Sequence, residues 1–367
     1  MMRRAPTRLK DVRSSGSLRC SVLAAMTWIM LLGGCSASGT QSEYAYFPPA
    51  PAVAHVVHLK SFNSLDSLVR RRATFVELLR GQSAVSYAQN PTGIAYSDNH
   101  LYICDTGLRV LHDWNLETGV ARRIGESGAK RLKQPVDVCV DSQRTLFVAD
   151  TGRGEVVSFD ASGRNRRVFK PPDRTANRPT SVACMNERLY VSDAGSSQID
   201  VFSTQDGTHL ATFAASTGGD SEAYALPTGL GISESRVFVS DMTGGRVLAF
   251  SREGKFVRQI GERGDRYGDM GQPKHLAIGS DGILFVADAE FARVHLFNEA
   301  GQLLMLLGGS GDGPGSTPMP FGVAVAPTLP RELAALVPEG FTARYFLFVT
   351  NSVGPQRISL FAIGEGR

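Results

Sequence analysis

The chain has 367 residues, 42% of them hydrophobic and 20% charged, which excludes a disordered chain, since those are too poor in apolar residues to build a core. Five cysteines exclude a disulfide-dense scaffold, while 39 glycines and 18 prolines point to many turns between many short strands. A formal net charge of +4 would suit an anionic partner if it belonged to the folded body.

It belongs elsewhere. Residues 1–20 carry Arg3, Arg4, Arg8, Lys10, Arg13 and Arg19 against Asp11, and an apolar stretch follows from Ser21 to Leu32. Twelve helical residues reach about 18 Å, too short for a bilayer span. This is the plan of a secretory signal. The stretch ends Leu31-Leu32-Gly33-Gly34-Cys35-Ser36, which resembles the lipobox of bacterial lipoproteins. The resemblance implies a signal peptide over residues 1–34, cleavage before Cys35, and diacylglyceryl lipidation of the Cys35 thiol. It further implies export to the cell envelope with a lipid anchor in the membrane, on the periplasmic face of the outer membrane in a Gram-negative organism. Loss of residues 1–34 removes six basic groups and one acidic group, turning +4 into −1. The nearly neutral remainder gives no reason to expect nucleic acid.

Residues 35–53, polar and then Pro-rich, read as a flexible tether. Residues 54–60 alternate apolar and polar side chains, the pattern of a strand. Over 64–80 the apolar residues Leu65, Leu68, Val69, Phe75, Leu78 and Leu79 recur at helical spacing, with Ser64 as N-cap and Gly81 as stop. Arg70–Arg72 then form the solvated face of that helix.

From residue 91 onward the chain repeats itself. Pro91-Thr-Gly-Ile-Ala-Tyr recurs at Pro135, Pro179, Pro227, Pro273 and Pro320, at steps of 44 to 48 residues. About ten residues after each opening comes a second run, as in Leu146-Phe-Val-Ala-Asp150 and Val237-Phe-Val-Ser-Asp241; the sixth departs, ending Val349-Thr-Asn351. Third and fourth runs follow, as in Gly245-Arg-Val-Leu-Ala-Phe250 and Lys255-Phe-Val-Arg-Gln-Ile260. Four short strands per unit make a propeller blade. These residues resemble the NHL repeat over 91–364, which implies an all-β fold, a six-bladed β-propeller occupying residues 54–367. The sixth repeat supplies only three strands, so the strand at 54–60 is expected to fill its outer place and close the ring.

Asp105, Asp150, Asp193, Asp241 and Asp288 close the second runs, one per blade. An aspartate before a tight turn accepts backbone N–H bonds, so these read as structural turn residues rather than a metal site. In propellers of this kind the first strand lines the central channel. The third residue of each opening is Gly93, Asp137, Ser181, Gly229, His275 or Gly322. The four small ones leave room, and Asp137 and His275 fall on opposite blades. With Ser181 they form a candidate channel ligand site, the alternative being polar side chains solvated by channel water. Cys104, Cys139 and Cys184 read as small buried hydrophobes, with a Cys104–Cys139 bridge between neighbouring blades as an open possibility.

NHL-like propellers that act as peptide-amidating lyases use several channel histidines around a metal, yet only His275 of the seven His falls in a first strand. One imidazole and one carboxylate do not fill a zinc site. The Glu/Asn/Asp channel set of lactonase-type propellers and the Gly-x-Ser-x-Gly elbow are missing as well. No metal, cofactor or catalytic residue is therefore expected. The links between blades are long and charged, and carry Lys130, Arg131, Arg174, Arg178, Arg263 and Arg266 with Tyr224 and Tyr267. Loops on a rigid scaffold that combine cations and aromatics suit a protein or peptide partner. The expected function is a lipid-anchored, non-catalytic binding scaffold, with a channel-site lyase or lactonase-like hydrolase as the alternative.

Overall fold

The computed structural model describes residues 44–69, 87–127, 131–164, 167–174, 177–216 and 226–366. The signal segment, Cys35, Lys130 and Tyr224 lie outside the described residues. So does the stretch from Arg70 to Gly81. No helix among the described residues is long and apolar enough to cross a membrane.

A two-residue strand β1 (Tyr46–Phe47) and a longer β2 (Val56–Phe62) precede one helical turn, α1 (Leu65–Leu68). Blade one is β3 (Pro91–Ser97), β4 (His100–Asp105), β5 (Val110–Asn115) and β6 (Val120–Ile124). Blade two is β7 (Pro135–Val140), β8 (Leu146–Asp150), β9 (Glu155–Phe159) and β10 (Arg167–Phe169). Blade three is β11 (Pro179–Met185), β12 (Arg188–Asp193), β13 (Gln198–Ser203) and β14 (His209–Ala214). Blade four is β15 (Pro227–Ile232), β16 (Arg236–Asp241), β17 (Arg246–Ser251) and β18 (Phe256–Ile260). Blade five is β19 (Pro273–Ile278), β20 (Leu284–Asp288), β21 (Arg293–Phe297) and β22 (Leu303–Gly308). Blade six contributes β23 (Pro320–Ala326), a helical turn α2 (Arg331–Ala334), β24 (Phe341–Asn351) and β25 (Ile358–Gly366).

Blades one to five are four-stranded antiparallel meanders. The sixth sheet runs β23-β24-β25-β2-β1, so chain from both ends of the fold shares it. β2 pairs antiparallel with β25 from Val56↔Ile363 to Phe62↔Ile358, two residues later than the alternation at 54–60 suggested. The tether is not wholly free: Tyr46 and Phe47 pair with Val57 and Val56, and Phe47 stacks edge-on against Phe361. Such pairing covers a sheet edge that would otherwise recruit another chain. Ser64 caps α1 by accepting the Ser67 N–H, but Val69 is already extended (φ −110°, ψ 120°), so the helical turn stops there.

The apolar core is distributed. Six clusters of buried side chains sit between successive sheets, such as Tyr102, Leu111, Val138 and Val157 between blades one and two. The ring closes at the largest, where Val57, Phe62, Trp114 and Phe348 join blade six to blade one. Each strand of a blade alternates its side chains between the two neighbouring clusters, which explains why second strands read as unbroken apolar runs. Gly163 and Gly301, both at positive φ, turn the outer hairpins of blades two and five onto Ile124 and Ile260 of the blade before; a Cβ there would come within 2.9 and 3.1 Å.

Candidate functional site

The first pair of strands in every blade has a register shift just after its opening proline. A β-bulge re-aims the side chains beside it. Here it serves the third positions. The glycines among them do more than leave room, as residue size suggested: they let neighbouring strands touch. A Cβ on Gly93 would lie 2.3 Å from Asp137 Oδ1, and one on Gly229 would lie 2.5 Å from the Lys274 carbonyl oxygen.

Asp137, Ser181 and His275 meet at the axis and are buried, at 1%, 0% and 6% exposure, rather than solvated by channel water. Asp137 Oδ2 accepts from the Ser181 hydroxyl at 2.5 Å and from Val182 N–H at 2.9 Å. Its Oδ1 accepts from Val138 N–H at 2.8 Å and lies 3.3 Å from His275 Nε2. His275 Nδ1 accepts from Val323 N–H at 3.4 Å, and Ser181 Oγ accepts from Leu230 N–H at 3.0 Å. An Nδ1 that accepts leaves the proton on Nε2, where it can be donated to Asp137. Blades two to six are thus joined by this cluster, and Gly93 of blade one presses against it.

Chemically this is a knot rather than a relay. Ser181 and His275 bind different oxygens of one carboxylate, so no imidazole is placed to take the serine proton. Among the described residues no three His, Cys, Asp or Glu side chains converge as a metal-binding group.

Three of the second positions, which the sequence reading passed over, also join neighbouring blades. Thr180 and Thr228 hydroxyls donate to the carbonyls of Pro227 and Pro273 in the next blade, at 2.6 and 2.9 Å. Thr92 does so to Pro135 at 3.4 Å. The recurring Pro-Thr pair was the available signal. In blade five this place belongs to Lys274, whose Nζ lies 2.9 Å from Met242 Sδ. Burial pulls its ammonium below the usual lysine range, more than nearby Asp288 supports it.

The turn aspartates end the second strands, each paired with the opening proline of its own blade. Asp105 accepts from the backbone N–H groups of Gln89, Asn90, Gly107 and Leu108, at 2.7 to 3.2 Å, and lies 3.1 Å from His112 Nε2. Asp150, Asp193, Asp241 and Asp288 do the same in their blades. Each carboxylate therefore ties the incoming link to the turn between the second and third strands, which puts both on one face.

On that face the basic residues divide. Arg174 is half-buried, ion-paired with buried Asp200 and bonded to Ser196. Arg266 pairs with Glu262 and Asp269, and Arg263 lies 3.7 Å from Glu290. Arg131 and Arg178 are exposed, and Tyr267 is 78% exposed beside a cavity of ≈380 Å³ that it lines with Glu262, Asp269 and Leu303.

No protein-family model matches the chain, and no curated protein matches it by sequence. Solved structures do. Virginiamycin B lyase from Staphylococcus aureus is 11% identical, with 75% of this chain and 84% of that one covered at a TM-score of 0.52. A gluconolactonase from Xanthomonas campestris is 16% identical, with 85% and 89% covered at 0.54. The nidogen/laminin complex contributes a chain 18% identical, with 64% and 84% covered at 0.50. The likeness is one of fold. The chain is a six-bladed β-propeller.

Proposed function

We propose that this chain is a lipid-anchored NHL-type propeller of the cell envelope, anchored through Cys35, which acts as a non-catalytic scaffold for an envelope protein or peptide. The observation that carries the reading is the axial cluster. Asp137, Ser181 and His275 are buried and hydrogen-bonded to one another and to backbone, so their polar atoms join blades instead of facing a substrate. Binding then falls to the face of links and turns, where Arg131, Arg178 and Tyr267 are exposed.

Capture from detergent-solubilised envelopes, comparing the wild type with an Arg131→Ala/Arg178→Ala/Tyr267→Ala variant, tests this. A partner retained by the wild type and lost by the variant is expected. Turnover of a metabolite with no partner lost by the variant would overturn the reading. The anchor is tested separately: Cys35→Ala should abolish labelling by a palmitate analogue.

A second reading places an enzyme site at the channel rim, favoured by half-buried Lys274 next to His275 and by the lyase and lactonase activities of proteins with this fold. Stoichiometric metal in the purified protein that is lost in His275→Ala would support it.

A further inference from the structure

The hydrogen bond from Val182 N–H to Asp137 Oδ2 fixes the register of β11 against β7. Two residues further along each strand come Cys139 and Cys184. Both are free thiols, both are partly exposed, and both pack on the cluster between blades two and three. β7 and β11 lie side by side as the first strands of neighbouring blades, which brings the two cysteines against the same cluster from adjacent strands. Cys104 is different: it is wholly buried in the cluster between blades one and two, so the bridge that sequence position suggested between Cys104 and Cys139 gives way to a different neighbour.

A cavity of ≈580 Å³ opens beside Cys184, lined also by Asp141, Ser142, Gln143, Asn186 and Glu187. Its only charged lining residues are the two carboxylates. Cys139 does not line it.

We propose that Cys184 and Cys139 form a thiol–disulfide exchange site, in which Cys184 meets a small cationic disulfide in the cavity and Cys139 resolves the product. The Cys184 thiolate attacks one sulfur of the incoming disulfide, forms a mixed disulfide and expels one thiolate. Cys139 then gives its proton to solvent, and its thiolate attacks Cys184 Sγ and expels the second. One external disulfide is reduced to two thiols while the two cysteines are oxidised to one bridge. Burial pushes the Cys139 thiol up, which suits it to the second, intramolecular step rather than the first. The pair of carboxylates attracts cations and repels anions. The site is separate from the axial cluster and from the proposed binding face, and does not depend on either.

The test uses the full, reduced chain treated with cystamine, a dication, or with anionic glutathione disulfide. Mass spectrometry of unreduced tryptic peptides should find the Cys139 peptide linked to the Cys184 peptide. Cystamine should react about tenfold faster than glutathione disulfide at low salt, the advantage falling as salt rises. Cys139→Ser should trap cysteamine on Cys184, whereas Cys184→Ser should leave Cys139 unmodified over the same time. Failure of the wild type to link these peptides, or linkage through Cys104, would overturn the proposal without reference to any variant. Equal rates with the two disulfides would overturn the assignment to cationic disulfides, and an adduct on Cys139 in Cys184→Ser would reverse the order of attack.

Discussion

The aspartate that ends a second strand shows how one side chain sets local structure and pH response together. Burial by itself would raise the Asp105 carboxyl, but the His112 hydrogen bond and the N–H groups of Leu108 and Gln89 outweigh it and hold the group at about 2, against an ordinary 3.8. A depressed carboxyl stabilises the fold above its unfolded value and loses that contribution as pH falls through the folded one. The window is therefore about pH 4 to 2, and the contribution about 2 kcal/mol. Denaturant titrations at pH 7 and pH 2 should show this loss in the wild type and not in Asp105→Asn. His58 acts in a different window. Burial lowers it from 6.5 to about 4, against a Lys60 backbone hydrogen bond that raises it. The unfolded chain takes up the proton first, so stability falls as pH drops from about 6.5 to 4. Between pH 7 and 5 the wild type should lose about 2 kcal/mol that His58→Gln retains, read from the same titrations. The turn role of Asp105 was legible because an aspartate before Thr-Gly has local N–H groups to accept from. His112 comes from another strand, and nothing in the spacing announced it.

At the scale of elements, the first strand is where local reading and packing part. Its opening Pro, its apolar run and its repeat length were all visible. The bulge after the proline was not, since it appears only when one strand is laid against the next. Glycine at the third position looked like spare volume, yet Gly229 stands where the backbone of Lys274 and His275 passes at 2.5 to 2.6 Å from a would-be Cβ. Gly229→Ala should therefore strain two blades at once and destabilise by about 1–3 kcal/mol, measured as a lower urea midpoint. Of the helix expected over 64–80, the described part is a single turn, Leu65–Leu68, which begins at its predicted cap; Val69 is extended and its buried side chain joins the ring-closing cluster.

For the whole molecule, cooperativity follows from the closed ring. Every blade buries both faces against neighbours, and the junction of blades six and one is completed by β2, far from β25 in sequence. Phe62, 1% exposed, belongs to that junction. Phe62→Ala should cost about 3–5 kcal/mol, and calorimetry should still show one transition, since no blade holds a core of its own. A separate low-temperature transition for blade six would contradict this.

Six openings at near-constant spacing determine six blades, because each unit has apolar residues on both faces and can bury them only between copies of itself. The turn chemistry of each second strand is equally local, and the sequence settles it. What meets at the axis is another matter. Asp137, Ser181 and His275 come from blades two, three and five, and the sequence grouped them only as polar residues facing a channel, with Asp137 and His275 on opposite blades. Only the convergence of six first strands, allowed by Gly93, Gly229 and Gly322, brings them within hydrogen-bonding distance and shuts water out. The same convergence sets Cys139 beside Cys184. Distances across a ring depend on its curvature and on how closely strands approach, and neither quantity is carried by any one repeat.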